Sequence, residues 1–361
     1  MFLIYLTALM LLLYGYVEWR LISTLTISAW VKGCLNVFLL FGVVNIAVVI
    51  MWGKVLPVWV VRGCSLAHIC LILLVVGTLV SDVLKLCHIP MDNKGGLIVG
   101  VCFLLSCYGL FNASRVPSVK QIQVSFPSLS ENWKPLKVIQ LTDLHIGGGF
   151  DGKWLQKVVD KTMAQKPDLI VITGDTTDEP VHRLAKEVEP LKRLKAPLGV
   201  YMIFGNHEYY NGYKAWEKYF QKIGIELLTN THKKIKYNGD TIVIAGYDEG
   251  PRYNQVNAGK KLPEIMVGTK ENELKILLAH HPALFQKSQK IKNVLQLSGH
   301  THGGMFFPIS LLTKLFNSGY VRGLYKTEDA QLYVSDGTGL WGGFPARIGT
   351  ENEITVLTIK K

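Results

Sequence analysis

Cysteine is missing from the last 254 residues: Cys34, Cys64, Cys70, Cys87, Cys102 and Cys107 are all the chain has. That excludes a disulfide framework or a thiolate-held metal in the C-terminal two thirds, where any ion must be held by oxygen and nitrogen. Charge is scarce where cysteine is present. Residues 1–116 carry seven Lys/Arg and three Asp/Glu, and the remaining 245 carry 32 and 24, a net charge of +8. This surplus forms no blocks, so it reads either as a solvated basic surface or as attraction to anionic headgroups or a phosphorylated substrate. Nucleic-acid binding has no motif behind it beyond that charge. No basic residue precedes Arg20 and no small-residue cleavage site follows residue 17, which argues against a cleaved signal peptide.

The apolar residues are concentrated in four runs, at residues 1–17, 34–52, 63–80 and 96–111. Each approaches the length that crosses a bilayer as a helix, so four transmembrane spans are expected and the protein reads as a multi-pass integral membrane protein. Lys54, Arg62, Arg115 and Lys120 on one side balance Arg20, Lys32, Lys85 and Lys94 on the other, so the charges do not select an orientation. Asn36, Asn45, His68 and Asp82 lie within or beside the runs. They are too scattered for a transport path, and helix packing is the expected role.

Residues 113–136, with Pro117, Pro127 and Pro135, read as a linker between a membrane domain (1–112) and a soluble domain (137–361). In the soluble part short β-type runs at 137–141, 169–172 and 200–204 alternate with helical patterns at 154–162 and 181–194. Strands follow at 235–237 and 241–245 around the Asn238-Gly239 turn, and at 275–278, 294–297, 331–334 and 354–359. Polar clusters close five of these strands: Asp143-Leu144-His145, Gly174-Asp175, Gly205-Asn206-His207-Glu208, His280-His281-Pro282 and Gly299-His300-Thr301-His302-Gly303-Gly304. Loops leaving the C-terminal ends of adjacent strands converge, so five loops can meet at one site.

This ordered set, D-x-H, G-D, G-N-H-E, H-x-P and G-H-T-H, resembles the calcineurin-like metallophosphoesterases over residues 137–361. The apolar N-terminal third and the tail Gly337-Thr338-Gly339-Leu340-Trp341-Gly342-Gly343-Phe344-Pro345-Ala346-Arg347 are similar to the membrane-anchored branch of that family. The resemblance implies an α/β (α+β) fold, a four-layer αββα sandwich of two sheets flanked by helices, following the transmembrane helices. It implies a dinuclear centre in which Asp143, His145 and His302 hold one ion, Asn206, His280 and His300 hold the second, and Asp175 bridges them. A metal-bridging hydroxide would attack phosphorus in line, because two divalent ions about 3.5–4 Å apart acidify a water and clamp phosphoryl oxygens. Oxygen and imidazole ligands suit Mn²⁺, which is favoured here, and also Fe or Zn²⁺.

By the same resemblance His207 protonates the leaving oxygen, although it could instead brace its loop. Glu208 orients the histidines, and Arg347 is a candidate for substrate phosphate or an ordinary surface arginine. His182, His232 and His281 are expected at the surface. Met305 stands where relatives often carry glutamine, and it opens an apolar stretch through Leu312 that is either core packing or a lip for acyl chains or the membrane interface. The expected activity is hydrolysis of a phosphodiester or pyrophosphate by a phosphoesterase whose partners are membrane lipids and a phosphorylated small molecule. Some relatives hydrolyse UDP-2,3-diacylglucosamine at its pyrophosphate, so a lipid-linked substrate is the named candidate and a soluble phosphodiester or envelope polymer the competitor. A non-catalytic, metal-stabilised membrane docking module is the alternative from another class, and the seven filled ligand positions weigh against it.

Overall fold

In the computed structural model, which describes residues 1–52, 56–91, 93–248, 250 and 262–361, the chain forms two compact units. One comprises Met1–Ser114 with Trp341–Ile348, the other Arg115–Leu340 with Gly349–Lys361. The first unit is helical: α1 (Phe2–Val17), α2 (Ala29–Trp52), α3 (Val58–Leu86) and α4 (Gly95–Ser114). Among the described residues three helical stretches are long and apolar enough to cross a membrane: Ala29–Trp52, Trp59–Leu86 and Gly95–Ser114. The expected fourth falls short. Helix α1 has 16 residues, about 24 Å at 1.5 Å per residue against a hydrocarbon core of about 30 Å, and it gives way to a π turn carrying Glu18 and Arg20. Lys54, one of the charges weighed for orientation, lies outside the described residues.

Several polar residues of this unit donate to backbone carbonyls. Asn45 Nδ2 donates to Gly343 O at 2.9 Å, Ser65 Oγ to Gly342 O at 3.3 Å and Asn112 Nδ2 to Arg347 O at 3.2 Å, while the Arg347 amide donates to Gly109 O at 3.1 Å. His68 Nδ1 donates to Gly42 O at 2.7 Å, and Asp82 pairs with Arg20 at 2.7 Å. An irregular segment such as Trp341–Ile348 makes no helical ladder of its own, and a buried carbonyl left without a donor costs about 1–3 kcal/mol. The scattered polar residues therefore pack and anchor.

The second unit carries β1 (Ser118–Ser125), β2 (Leu136–Leu141), α5 (Gly152–Met163), β3 (Leu169–Thr173), α6 (Val181–Val188), β4 (Val200–Ile203), α7 (Asn206–Tyr210), α8 (Tyr213–Lys222), β5 (Glu226–Leu227), β6 (Thr231–Tyr237) and β7 (Asp240–Tyr247). After these come α9 (Leu262–Ile265), β8 (Leu274–Ala279), α10 (Phe285–Ser288), β9 (Val294–Ser298), α11 (Ile309–Phe316), β10 (Gly323–Lys326), β11 (Ala330–Val334) and β12 (Glu353–Lys360). The described strands form two six-stranded sheets, ordered β1-β12-β2-β3-β4-β5 and β10-β11-β9-β8-β7-β6. β1 departs from expectation: it lies inside the stretch read as a linker and pairs in parallel with β12, a register set by residues more than 230 positions away. The helix expected over residues 181–194 is α6 followed by a 3-10 turn, because Pro190 supplies no amide to continue the ladder.

Strand alternation explains the layers. Leu169 and Val171 of β3, Val138 of β2 and Ile203 of β4 meet Ile244, Ile276, Leu278 and Leu297 of the second sheet in one buried core. Each such side chain stabilises the fold by roughly 1.5–3 kcal/mol. On the other face of the second sheet, Ala245, Leu277, Ala279 and Leu332 pack with Leu262, Ile265 and Phe285 from α9 and α10. Helix α5 is capped by Asp151, which accepts the Trp154 amide at 2.8 Å, and buries Leu155, Val158 and Val159. β2, β3 and β4 run parallel, as do β7, β8 and β9, so each sheet presents the C-terminal ends of three neighbouring strands at one edge.

Candidate metal centre

Those two edges are stitched together. Gln140 Nε2 donates to Ser298 O at 3.0 Å and to Thr173 Oγ1 at 2.9 Å, and His280 Nδ1 donates to Thr173 O at 2.8 Å. The loop after β9 reaches the loop after β2 directly, since the His300 amide lies 3.1 Å from both Asp143 carboxylate oxygens. Tight glycines permit the approach: a Cβ on Gly174, where φ is +94°, would sit 2.7 Å from His280 Nδ1 and from the Gly205 nitrogen. Asp143, His145, Asp175, His300 and His302 all have left-handed backbone, with φ between 48° and 69°. Such conformations cost about 1–3 kcal/mol each and persist where surrounding structure enforces them.

The predicted ligands come together. Asp143, His145 and His302 present ligand atoms within 4.8 Å of one another, and so do Asp175, His280 and His300. Asp175 Oδ2 links the two groups, at 3.2 Å from His280 Nε2 and 3.8 Å from His145 Nε2. Asn206 is buried beside them at the start of α7, and its Oδ1 has no hydrogen-bond partner among the described residues; the same holds for His145 Nε2. A buried acceptor without a donor is costly, and a cation satisfies it. Proton placement agrees: Nδ1 of His145 faces Asp178 and Nδ1 of His280 faces a carbonyl, so each Nδ1 carries the proton and each Nε2 keeps its lone pair. The residues present therefore fit a pair of divalent ions.

Electrostatics also favour cations. Burial works against the Asp175 charge, but with no ion bound protonated His280 and His207 outweigh it and hold the carboxyl well below the usual carboxylate range, and a cation at His280 Nε2 would supply that charge in place of the proton. Burial pushes Asp143 up and the Asp175 charge adds to that, against the pull of His280 and His145. A cation between the two carboxylates would relieve that repulsion.

Asp178 was missed, although it stands three residues after Asp175. Its Oδ1 accepts from His145 Nδ1 at 2.8 Å and from His207 Nδ1 at 2.7 Å. Burial would raise its pKa, but the two histidines hold it well below the carboxylate range. Asp178 thus fixes the tautomer of both rings and presents their Nε2 atoms to the site. Asp178→Asn should weaken metal affinity and kcat/KM by about 10–100-fold. Metal titration followed by calorimetry checks this, and an unchanged affinity would refute it.

Four expectations need correcting. Glu208 does not orient histidines: its oxygens accept the backbone amides of Asp175 (3.0 Å), Thr176 (2.6 Å), Thr177 (3.1 Å) and Gly205 (2.8 Å). It clamps the loop after β3 to the one after β4. Arg347 is a fully buried side chain in the Trp341–Ile348 segment of the helical unit, not an ordinary surface arginine. His281 is buried, with its ring centroid 3.9 Å from that of His300, whereas His182 is exposed as expected. His232 is half-buried, with Nδ1 2.6 Å from Ile265 O. The apolar stretch after Met305 divides, with Phe306 buried at 3% exposure and Phe307 exposed at 70%.

A family model described as calcineurin-like phosphoesterase matches residues 136–304. The chain is 36% identical over 267 residues to a "Transmembrane protein with metallophosphoesterase domain" of Danio rerio, an alignment covering 72% of this chain and 61% of that protein's length. It is 33% identical over 297 residues to an uncharacterized metallophosphoesterase of Campylobacter jejuni, covering 78% of this chain and 77% of that one. Among solved structures, a dimetal phosphatase of Danio rerio aligns with 57% of this chain and 88% of its own, at 12% identity and a TM-score of 0.34. The 33% identity over more than three quarters of the Campylobacter protein, together with the matched family model, establishes that this chain belongs to the calcineurin-like phosphoesterases, which are metal-dependent hydrolases.

Proposed function

We propose that this protein is a membrane-anchored phosphohydrolase that cleaves a phosphodiester or pyrophosphate bond at a dinuclear centre. The observation that carries the reading is the position of Asp175 Oδ2, within 3.8 Å of imidazole nitrogens belonging to both ligand groups. One carboxylate so placed would serve both ions. Asp143, His145 and His302 would hold one ion, and Asn206, His280 and His300 would hold the other. When bound, the two ions supply Lewis acidity, acidifying a water and offsetting phosphoryl charge.

The protein's own groups handle the rest. His145 and His207 are aligned by Asp178, which leaves His207 Nε2 directed at the site, 4.0 Å from Asp175 Oδ2. Burial disfavours the imidazolium, but with no ion bound Asp175 and Asp178 outweigh it and push His207 up to about 9, which favours the form that can donate from Nε2. As the water oxygen bonds to phosphorus and the bond to the leaving oxygen breaks, that oxygen takes the proton from Nε2.

The anchor favours one substrate class. Three helices of spanning length hold the enzyme at a bilayer, which raises its effective concentration toward molecules resident there. A lipid-linked pyrophosphate such as UDP-2,3-diacylglucosamine is the named candidate, and a soluble phosphodiester is the competitor. The first test uses the full chain in detergent with bis-p-nitrophenyl phosphate. Turnover should appear with Mn²⁺, disappear on chelation and return on adding metal, and no turnover with Mn²⁺, Fe²⁺ or Zn²⁺ would favour the docking-module alternative. Release of UMP from micellar UDP-2,3-diacylglucosamine tests the lipid-linked substrate separately.

A further inference from the structure

Helix α11 contributes no buried residue to its unit. Leu311, Leu312, Leu315 and Phe316 are 56%, 52%, 73% and 79% exposed, and Phe307 ahead of them is 70% exposed. Residues 311 and 315, and 312 and 316, are i,i+4 pairs, so the four side chains form a single stripe. The helix is nevertheless fixed in place. The Ser310 amide donates to Phe306 O at 2.9 Å, Phe306 is buried, and Gly304 packs so closely on Ser310 that a Cβ there would meet it at 2.7 Å. A contiguous apolar stripe on a rigid exposed element marks an interaction surface.

Charge and tether identify the occupant. From Met305 to Lys326 the charged residues are Lys314, Arg322 and Lys326, all cations. Arg322 lies 4.0 Å from Asp336 Oδ2, whereas Lys314 stands on the helix itself, and a short helix with an apolar stripe and a cation of its own suits the headgroup layer of an anionic bilayer. Three residues, 115–117, separate the end of α4 from β1, a reach of at most about 11 Å. The connection between the apolar helices and the unit that carries α11 is therefore short.

We infer that α11 is an interfacial helix whose Leu/Phe stripe is embedded in the headgroup region of an anionic membrane. It begins seven residues after His302, so it ties the turn carrying that ligand to the lipid surface. The inference does not depend on the hydrolytic reading and is tested without an activity assay.

The full chain, carrying benzoylphenylalanine in place of Leu315, is reconstituted in vesicles of phosphatidylcholine and phosphatidylglycerol and irradiated. A second protein carries the probe at Val267, which is 71% exposed on the same unit and lies off this stripe. Lipid adducts should form several-fold more at 315 than at 267 and fall when phosphatidylglycerol is omitted. Equal yields at the two positions, or adducts at 315 mainly with a second polypeptide, would overturn the inference. Glutamine at 311, 315 and 316 removes no buried contact, so this variant should keep its turnover of bis-p-nitrophenyl phosphate while a probe at Leu312 loses its lipid adducts. Persistent adducts in it would equally refute the assignment.

Discussion

Asp175→Asn should lower kcat/KM by about 10³-fold or more, because metal-ion stabilisation of phosphoryl charge is worth several kcal/mol and each 1.36 kcal/mol is a factor of ten. Asparagine keeps the shape and still accepts the His207 amide, which Asp175 Oδ1 receives at 2.9 Å. The loop therefore survives, and only the bridging charge is removed. Elemental analysis should show the metal content falling from two ions per chain toward one. The bridge assignment does not survive an Asp175→Asn protein that keeps two ions and lies within tenfold of the parent.

The second large effect is at His207. His207→Ala should cost about 10²–10⁴-fold on a phosphodiester whose leaving group is an alkyl alcohol, the usual range for a lost general acid. With a p-nitrophenyl leaving group the loss should be far smaller, since p-nitrophenolate departs without taking a proton. Steady-state kinetics with the two substrates decide the matter. Equal losses on both would mean that His207 only braces the loop through its 2.7 Å contact with Asp178.

Most of the candidate ligands were legible because each stands directly after a strand. A short apolar strand ends and an Asp, Asn or His follows, after a glycine at Gly174-Asp175, Gly205-Asn206 and Gly299-His300 and without one at Thr142-Asp143 and Ala279-His280. Asp178 carries the same kind of signal in Gly174-Asp175-Thr176-Thr177-Asp178, but its role becomes visible only when His145 and His207 approach it from the ends of two other strands. Glu208 was misassigned for a related reason. Its partners are amides of residues 175–177 and 205, and a sequence does not display where a backbone amide points.

Arg347 shows the limit more clearly. The sequence left Arg347 of the P-x-R tail as a phosphate candidate or a surface arginine, whereas the structure buries it in Trp341–Ile348, a segment whose carbonyls accept from Asn45, Ser65 and Asn112. Those donors lie some 230 to 300 positions earlier in the chain. No periodicity links them.

Residue chemistry and strand-end position, both local properties, determined from the sequence alone that this chain carries an apolar helical third and a head able to gather oxygen and imidazole ligands. The tertiary structure alone decided that one Asp175 oxygen faces both groups, that Asp178 serves two histidines, that β1 completes a sheet with β12, and that the α11 stripe is left exposed. These depend on which distant segments meet, and that is settled by the packing of two sheets against each other.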